Sequence, residues 1–187
     1  MQISLIRHGK SKCIDNERMT SNEFQDWIKK YDSSGVFEET AYPSKTQSIV
    51  GSAQIIITSD LTRSIESAKL LNSNIQVHSN SLFRETELPI PNNKYWDIKL
   101  SPVIWATLLR CLWFSGYSSN CESLSSAKNR ATKATQLLIK YANEHSSVVL
   151  VGHGFLNKLI AKELKKMGWQ STNRTSYKHW SCSAFSM

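Results

Sequence analysis

The 187-residue sequence has few cysteines. The four, at positions 13, 111, 121 and 182, form no CxxC pair and no spacing with histidine that would hold a structural zinc ion. With no disulfide framework evident, they predict a reducing, cytoplasmic setting. Basic runs are equally scarce. None exceeds a pair such as Lys165-Lys166, which argues against a dedicated nucleic-acid-binding arm. Long apolar runs are missing as well: the most apolar segment, Val103 to Phe114, falls short of the roughly 18 residues that span a bilayer. A strand pattern begins almost at once, which predicts no signal peptide. There are no internal repeats and no low-complexity tract.

What is present reads as one globular domain, 1–187, with hydrophobic residues at 40% and charged ones at 20%. Lys and Arg outnumber Asp and Glu by 23 to 15, giving a net charge of +8. That balance favours an anionic partner: a phosphorylated small molecule, a phosphoprotein, nucleic acid or an anionic membrane surface. The scattered charge and the lack of a groove-reading motif speak against nucleic acid, and nothing indicates a membrane.

In chain order, Gln2 to Ile6 reads as a central strand. Ser21 is the expected cap of a helix with Phe24, Trp27, Ile28 and Tyr31 on one face, and Pro43 opens a shorter helix to Val50. Gln54 to Thr58 is a second strand. Ser59 or Asp60 is the expected cap of a helix from Leu61 to Leu71, with Leu61, Ile65, Ala68 and Leu71 inward. Ile75 to His78 reads as a third strand. Strands alternating with helices predict an α/β fold with a mostly parallel sheet. Ser101-Pro102 starts a helix over Val103 to Phe114, apolar almost all round and so buried on several sides or facing a partner. A long helix covers Glu122 to Tyr141. Then come strand Val148 to Val151, helix Phe155 to Met167, and a tail, Tyr177 to Phe185, that fits a final edge strand.

Four stretches carry chemistry. Strand one stops at Arg7-His8-Gly9, and the strand at 148–151 stops at Gly152-His153-Gly154. Ligands in open α/β sheets bind at such strand ends. A neutral imidazole there is a nucleophile toward phosphorus when its second nitrogen is held by a carbonyl, and the arginine fork suits phosphate oxygens. By itself the tripeptide also fits a surface strand end. Arg63 follows strand two and also fits a solvated face; His153 also fits a satisfied core histidine. Leu82-Phe83-Arg84-Glu85 brings a carboxyl that can protonate a leaving oxygen if burial raises its pKa, and in isolation any exposed glutamate looks the same.

Together the motifs resemble the histidine phosphatase superfamily, also called phosphoglycerate mutase-like. They are Leu5-Ile6-Arg7-His8-Gly9, Ser59-x-Leu61-x-Arg63 with Ala68, Leu82-x-x-Glu85, Glu122-Ser123 followed by Arg130, and Val149-x-Val151-Gly152-His153-Gly154. The resemblance implies a three-layer α/β/α sandwich and a metal-independent phosphatase needing no cofactor. It implies that His8 is transiently phosphorylated, and that Arg7, Arg63 and His153 hold the phosphoryl oxygens with Gly154. Glu85 would serve as acid and then base, and Ser11 and Arg18 would contribute to substrate binding.

The sequence departs from the family at Lys10, where Glu or Gln is usual, and at Ile14, where Asn is frequent. Lys10, Asn16 and Arg18 would then make a more basic rim. Glu87 rivals Glu85 as the acid, with motif position favouring Glu85. Residues 86–121 occupy the place of the family's variable substrate cap, where Trp96, Trp105 and Trp113 fit either core or pocket. The expected substrate is a phosphorylated small molecule. The alternatives are a phosphoprotein phosphatase, a phosphoglycerate mutase and a non-catalytic phospho-ligand module. Monomer and homodimer both remain open.

Overall fold

The computed structural model describes residues 1–74, 76–91, 98–171, 176 and 178–187. The start of the expected third strand at Ile75, the cap tryptophan Trp96 and the tail residue Tyr177 lie outside the described residues. A six-stranded sheet is ordered β3-β2-β4-β1-β6-β5. Its strands are β1 (Gln2–Arg7), β2 (Ile55–Thr58), β3 (Val77–Ser79), β4 (Ser147–Gly152), β5 (Gln170–Ser171) and β6 (Cys182–Ser186). The first four run parallel, β6 is antiparallel to β1, and β5 is antiparallel to β6. The fold is α/β with a mostly parallel central sheet.

Side chains alternate across a strand, so each buried strand supplies two faces. Ile3, Leu5, Ile55, Ile57, Val148 and Leu150 form one core with helices α5 (Leu124–His145) and α6 (Gly154–Lys166). Ile6, Ile56, Val149 and Val151 point the other way. There they meet Val50 of α2 (Ser44–Gly51) and Ala68 of α3 (Thr62–Leu71). Helices cover both faces, which is why β2 can be buried at all four positions.

Two further helices frame the site. α1 (Ser21–Ser33) begins one residue earlier than expected at its cap: Thr20, not Ser21, is the N-cap. The Thr20 hydroxyl accepts from Glu23 N–H, while the Glu23 carboxylate accepts from Thr20 N–H. α4 (Pro102–Phe114) begins after Ser101 as the Ser-Pro signal predicts. Its Trp105, Leu109 and Trp113 are buried; Trp105 packs in a core with Met19 and Phe24, whereas Trp113 edges a cleft with Phe114 and Phe155. The opposite face is open to solvent, with Val103 67% and Phe114 52% exposed. α4 is therefore buried on one side, and its all-round apolarity overstates its burial.

Three other expectations are corrected. β6 is an inner strand between β1 and β5, not the edge, because the short β5 completes the sheet beyond it. The inward face of α3 is Arg63, Ser64, Ser67 and Ala68, with Leu61, Ile65 and Leu71 only half-buried. Hydrophobic spacing missed this because the helix turns its polar side toward the sheet end. Finally, Leu61 is the N-cap of α3 and makes no side-chain cap; Ser59 is engaged elsewhere.

Among the described residues, no helix is long and apolar enough to cross a membrane. Leu150, fully buried in the middle of β4, contacts the core that carries the sheet. Leu150→Ala is expected to lower the unfolding free energy by about 2–5 kcal/mol through lost burial and the cavity left behind, read by urea denaturation.

Candidate active site

β1 and β4 are parallel neighbours, with Arg7 opposite Gly152. Each strand ends there, so His8 and His153 are the first residues past the same edge of the sheet. His8 N–H donates to Gly152 O at 3.0 Å and continues the ladder by one rung. The two imidazoles stand 5.1 Å apart, edge toward face.

The tautomer of His8 follows from its partner. Nδ1 lies 2.7 Å from Gly9 O, and a carbonyl oxygen only accepts, so Nδ1 bears the hydrogen and Nε2 the lone pair. Burial above all, then the Arg63 cation, push the His8 pKa well below its ordinary 6.5; Arg7 and His179 add to this, and the Gly9 bond opposes it. His153 is lowered likewise, by burial first and then by His8, Arg63 and Arg7. Both rings are neutral near pH 7.

Arg63 is 2% exposed, although its place in the first turn of a helix suggested a solvated side chain. Its Nη1 donates to the Asp32 carboxylate at 2.8 Å and to Tyr31 O at 3.3 Å, and its guanidinium lies 4.6 Å over the Tyr31 ring. Its Nε is buried and has no hydrogen-bond partner among the described residues. The same holds for Nδ1 of His153, whose Nε2 sits 2.7 Å from Ser59 Oγ. Buried polar atoms are nearly always paired, so two such nitrogens around one histidine need an explanation.

Gly9 and Gly154 serve this edge differently. A Cβ on Gly9 would collide with the Trp180 indole, so glycine is what lets the tail pass this close. Gly9 N–H donates to Ser67 Oγ, and Ser67 Oγ donates to Arg63 O, tying the loop after β1 to α3. Gly154 opens α6 and lies against the Arg7 guanidinium.

The two carboxyl candidates separate in space. Glu85 accepts from Phe155 N–H at 3.0 Å and Leu156 N–H at 2.9 Å, in the first turn of the helix that His153 caps. It also accepts from Thr86 N–H. Glu87 is exposed and accepts from Glu122 N–H. The structure thus brings Glu85, not Glu87, to the helix that starts beside His153. Ser11 is buried and its hydroxyl accepts from Cys13 N–H. Arg18 is exposed on the loop before Met19, and no contact among the described residues joins it to the histidines.

Several neighbours were not singled out from sequence. His179 Nδ1 donates to His8 O at 2.8 Å, and its ring lies 5.5 Å from that of His8. It follows no strand or helix pattern that would have marked it. Tyr31 was placed on an apolar helix face, and burial raises its pKa while Arg63 and Arg7 oppose that. Trp180 has φ of 63°, a left-handed backbone that bulky residues rarely adopt. Among the described residues, no group of three or more His, Cys, Asp or Glu could hold a metal ion.

The depressed histidines make stability depend on pH. Unfolded imidazoles take protons near pH 6.5, whereas the folded ones resist until well below it, so the unfolded chain binds more protons in that window. Their contribution is fully present above about pH 6.5 and is lost as the pH falls toward the folded values. Urea denaturation should show the unfolding free energy declining between about pH 7 and about pH 5, and declining less in His153→Ala.

Comparison with known proteins places the fold. No curated protein matches the sequence. The structure is similar to that of a mycobacterial hydrolase (TM-score 0.60, 20% identity, covering 89% of this chain and 79% of that one). It is similar to a mycobacterial glucosyl-3-phosphoglycerate phosphatase (TM-score 0.57, 18% identity, 88% and 79% covered). It is also similar to a phosphoserine phosphatase from Entamoeba histolytica (TM-score 0.60, 16% identity, 98% and 89% covered). At such identities these likenesses speak to fold. The profile of the histidine phosphatase superfamily (branch 1) matches residues 44–187, which include Arg63, Glu85 and His153 but leave out β1. β1 supplies His8 to the same edge by direct pairing with β4, and the chain belongs to the histidine phosphatase superfamily, branch 1.

Proposed function

We propose that the protein is a phosphatase that hydrolyses phosphomonoesters through a phosphohistidine on His8. The observation that carries this reading is the pair of buried donors without partners, Nε of Arg63 and Nδ1 of His153, around a neutral imidazole. A tetrahedral phosphoryl group supplies the acceptor oxygens that both lack. With the Ser59 hydroxyl donating to Nε2 of His153, the Nδ1 hydrogen is available to such an oxygen. Arg7 and Arg63 add positive charge at the same end of the sheet, where transition-state charge on the phosphoryl oxygens needs it.

In the first step the Nε2 lone pair of His8 forms a bond to phosphorus as the bond to the leaving oxygen breaks, and that oxygen takes its proton through the Glu85 carboxyl. In the second, Glu85 takes a proton from water as its oxygen attacks phosphorus. The P–N bond breaks, its electron pair returns to Nε2, and inorganic phosphate departs. The Gly9 carbonyl holds the Nδ1 hydrogen throughout, so the ring attacks from a fixed orientation. The cationic and donor side chains supply the charge stabilisation without calling on a metal. Residues 86–121 then serve as the cap that selects the substrate, a phosphorylated small molecule. The four free thiols suit a reducing compartment such as the cytoplasm.

The test is hydrolysis of p-nitrophenyl phosphate with EDTA present. The chain is expected to keep its activity under chelation, to lose at least about a hundredfold in His8→Ala, and to retain labelled phosphate on His8 after acid-free quenching. Undiminished turnover in His8→Ala overturns the mechanism.

A further inference from the structure

Arg110 is a buried cation in α4 that the mechanism above does not use. Its guanidinium is held between two aromatic rings, 4.8 Å from the centre of Trp113 and 4.4 Å from that of Phe155. Among the described residues its three hydrogen bonds all go to the segment that carries the carboxyl candidate. Nη1 donates to Thr86 Oγ1 at 2.9 Å and to Glu87 O at 3.2 Å, and Nη2 donates to Thr86 O at 2.9 Å.

Two of the residues that Arg110 holds, Thr86 and Phe155, are themselves donors to Glu85. Thr86 gives its N–H to Glu85 Oε1 at 2.9 Å, and its hydroxyl, already accepting from Arg110, lies 3.4 Å from the same oxygen. Phe155, whose ring lies under the guanidinium, gives its N–H to Glu85 Oε2 at 3.0 Å. A planar fork can satisfy a hydroxyl and two carbonyls while lying flat between two rings; an ammonium cannot do both. Burial lowers the Arg110 pKa from its usual value, and the nearby carboxylates, Glu85 among them, oppose that. Guanidinium remains charged under all ordinary conditions.

We propose that Arg110 is a positioning residue that fixes the Glu85 carboxyl through Thr86 and Phe155, and so ties the cap helix to proton transfer. The inference rests on the reading of Glu85 as the proton donor. A brace that merely held α4 in place would affect every substrate alike. A brace that aims the acid affects substrates in proportion to their need for a proton.

The experiment compares kcat/KM on p-nitrophenyl phosphate, whose leaving group departs readily as an anion, with phenyl phosphate, whose similar but more basic leaving group needs protonation. Arg110→Met keeps the apolar stack and removes the fork. It is expected to lower kcat/KM on phenyl phosphate at least about tenfold more than on p-nitrophenyl phosphate, the pattern also expected of Glu85→Gln. In the Glu85→Gln background, Arg110→Met should add little, since the two act as a unit. Arg110→Lys, which keeps charge without the fork, should fail to restore the phenyl phosphate rate.

Should Arg110→Met not fold, Thr86→Val removes only the hydroxyl link and is expected to show the same selectivity in smaller measure. Equal losses on the two esters, or an undiminished loss in the Glu85→Gln background, overturn the inference while leaving the phosphatase reading intact. An unaltered chain that hydrolyses neither ester and takes no phosphate on His8 overturns that reading instead.

Discussion

The arrangement depends on one pairing, that of β1 with β4. Arg7 faces Gly152, and the next amide, that of His8, bonds the Gly152 carbonyl before the strands part. A parallel ladder fixes both the spacing and the direction of what leaves it. Two histidines one residue past a shared rung are therefore delivered side by side with no dedicated element to align them. A slip of one residue would reverse the faces of β1 and send Ile3 and Leu5 to the wrong core. The hydrophobic alternation of the strands thus enforces the geometry of the chemistry.

What surrounds the histidines is a concentration of positive charge that water does not relieve. Arg63 is almost wholly buried, and burial disfavours charge unless partners compensate. Compensation comes from Asp32, from the Tyr31 carbonyl and from the Tyr31 ring, all on the last turns of α1. Serines do the rest at close range. Ser59 meets His153, Ser64 gives its hydroxyl to Val151 O, and Ser67 links Gly9 to Arg63. Small hydroxyls settle these polar groups without taking the space in which a ligand would sit.

Much of this was legible from the residues alone. Strand ends that stop at Arg7-His8-Gly9 and Gly152-His153-Gly154 announce their edge, because a buried apolar run can stop so abruptly only where the sheet stops. The alternation of strands and helices carried the parallel core. The parts that failed share a cause: they depend on contacts between residues far apart in sequence. Ser59 looks like a helix cap because serine before a helix usually is one, and only the proximity of His153 gives it another partner. α3 reads as an amphipathic helix, yet it buries Arg63, Ser64 and Ser67 because its first turns meet the polar end of the sheet. His179 has no local signal, since its place beside His8 comes from the tail passing beneath Gly9. Arg110 has none either, as an arginine among the apolar residues of α4 gives no hint that Trp113 and Phe155 enclose it.

The sheet order has a consequence for how the protein is made. Of the strands of this sheet β1 is synthesised before the others, yet both of its neighbours, β4 and β6, come from residues 147–152 and 182–186. During synthesis the strand bearing His8 has no sheet partner until residues 147–152 have been translated, and its apolar face waits exposed. Contacts of such long sequence separation make folding slow and leave the nascent chain open to association with its neighbours. The basic charge spread along the chain opposes that association by mutual repulsion. A nascent chain stalled before β4 emerges would hold the nucleophile without the histidine that stands beside it.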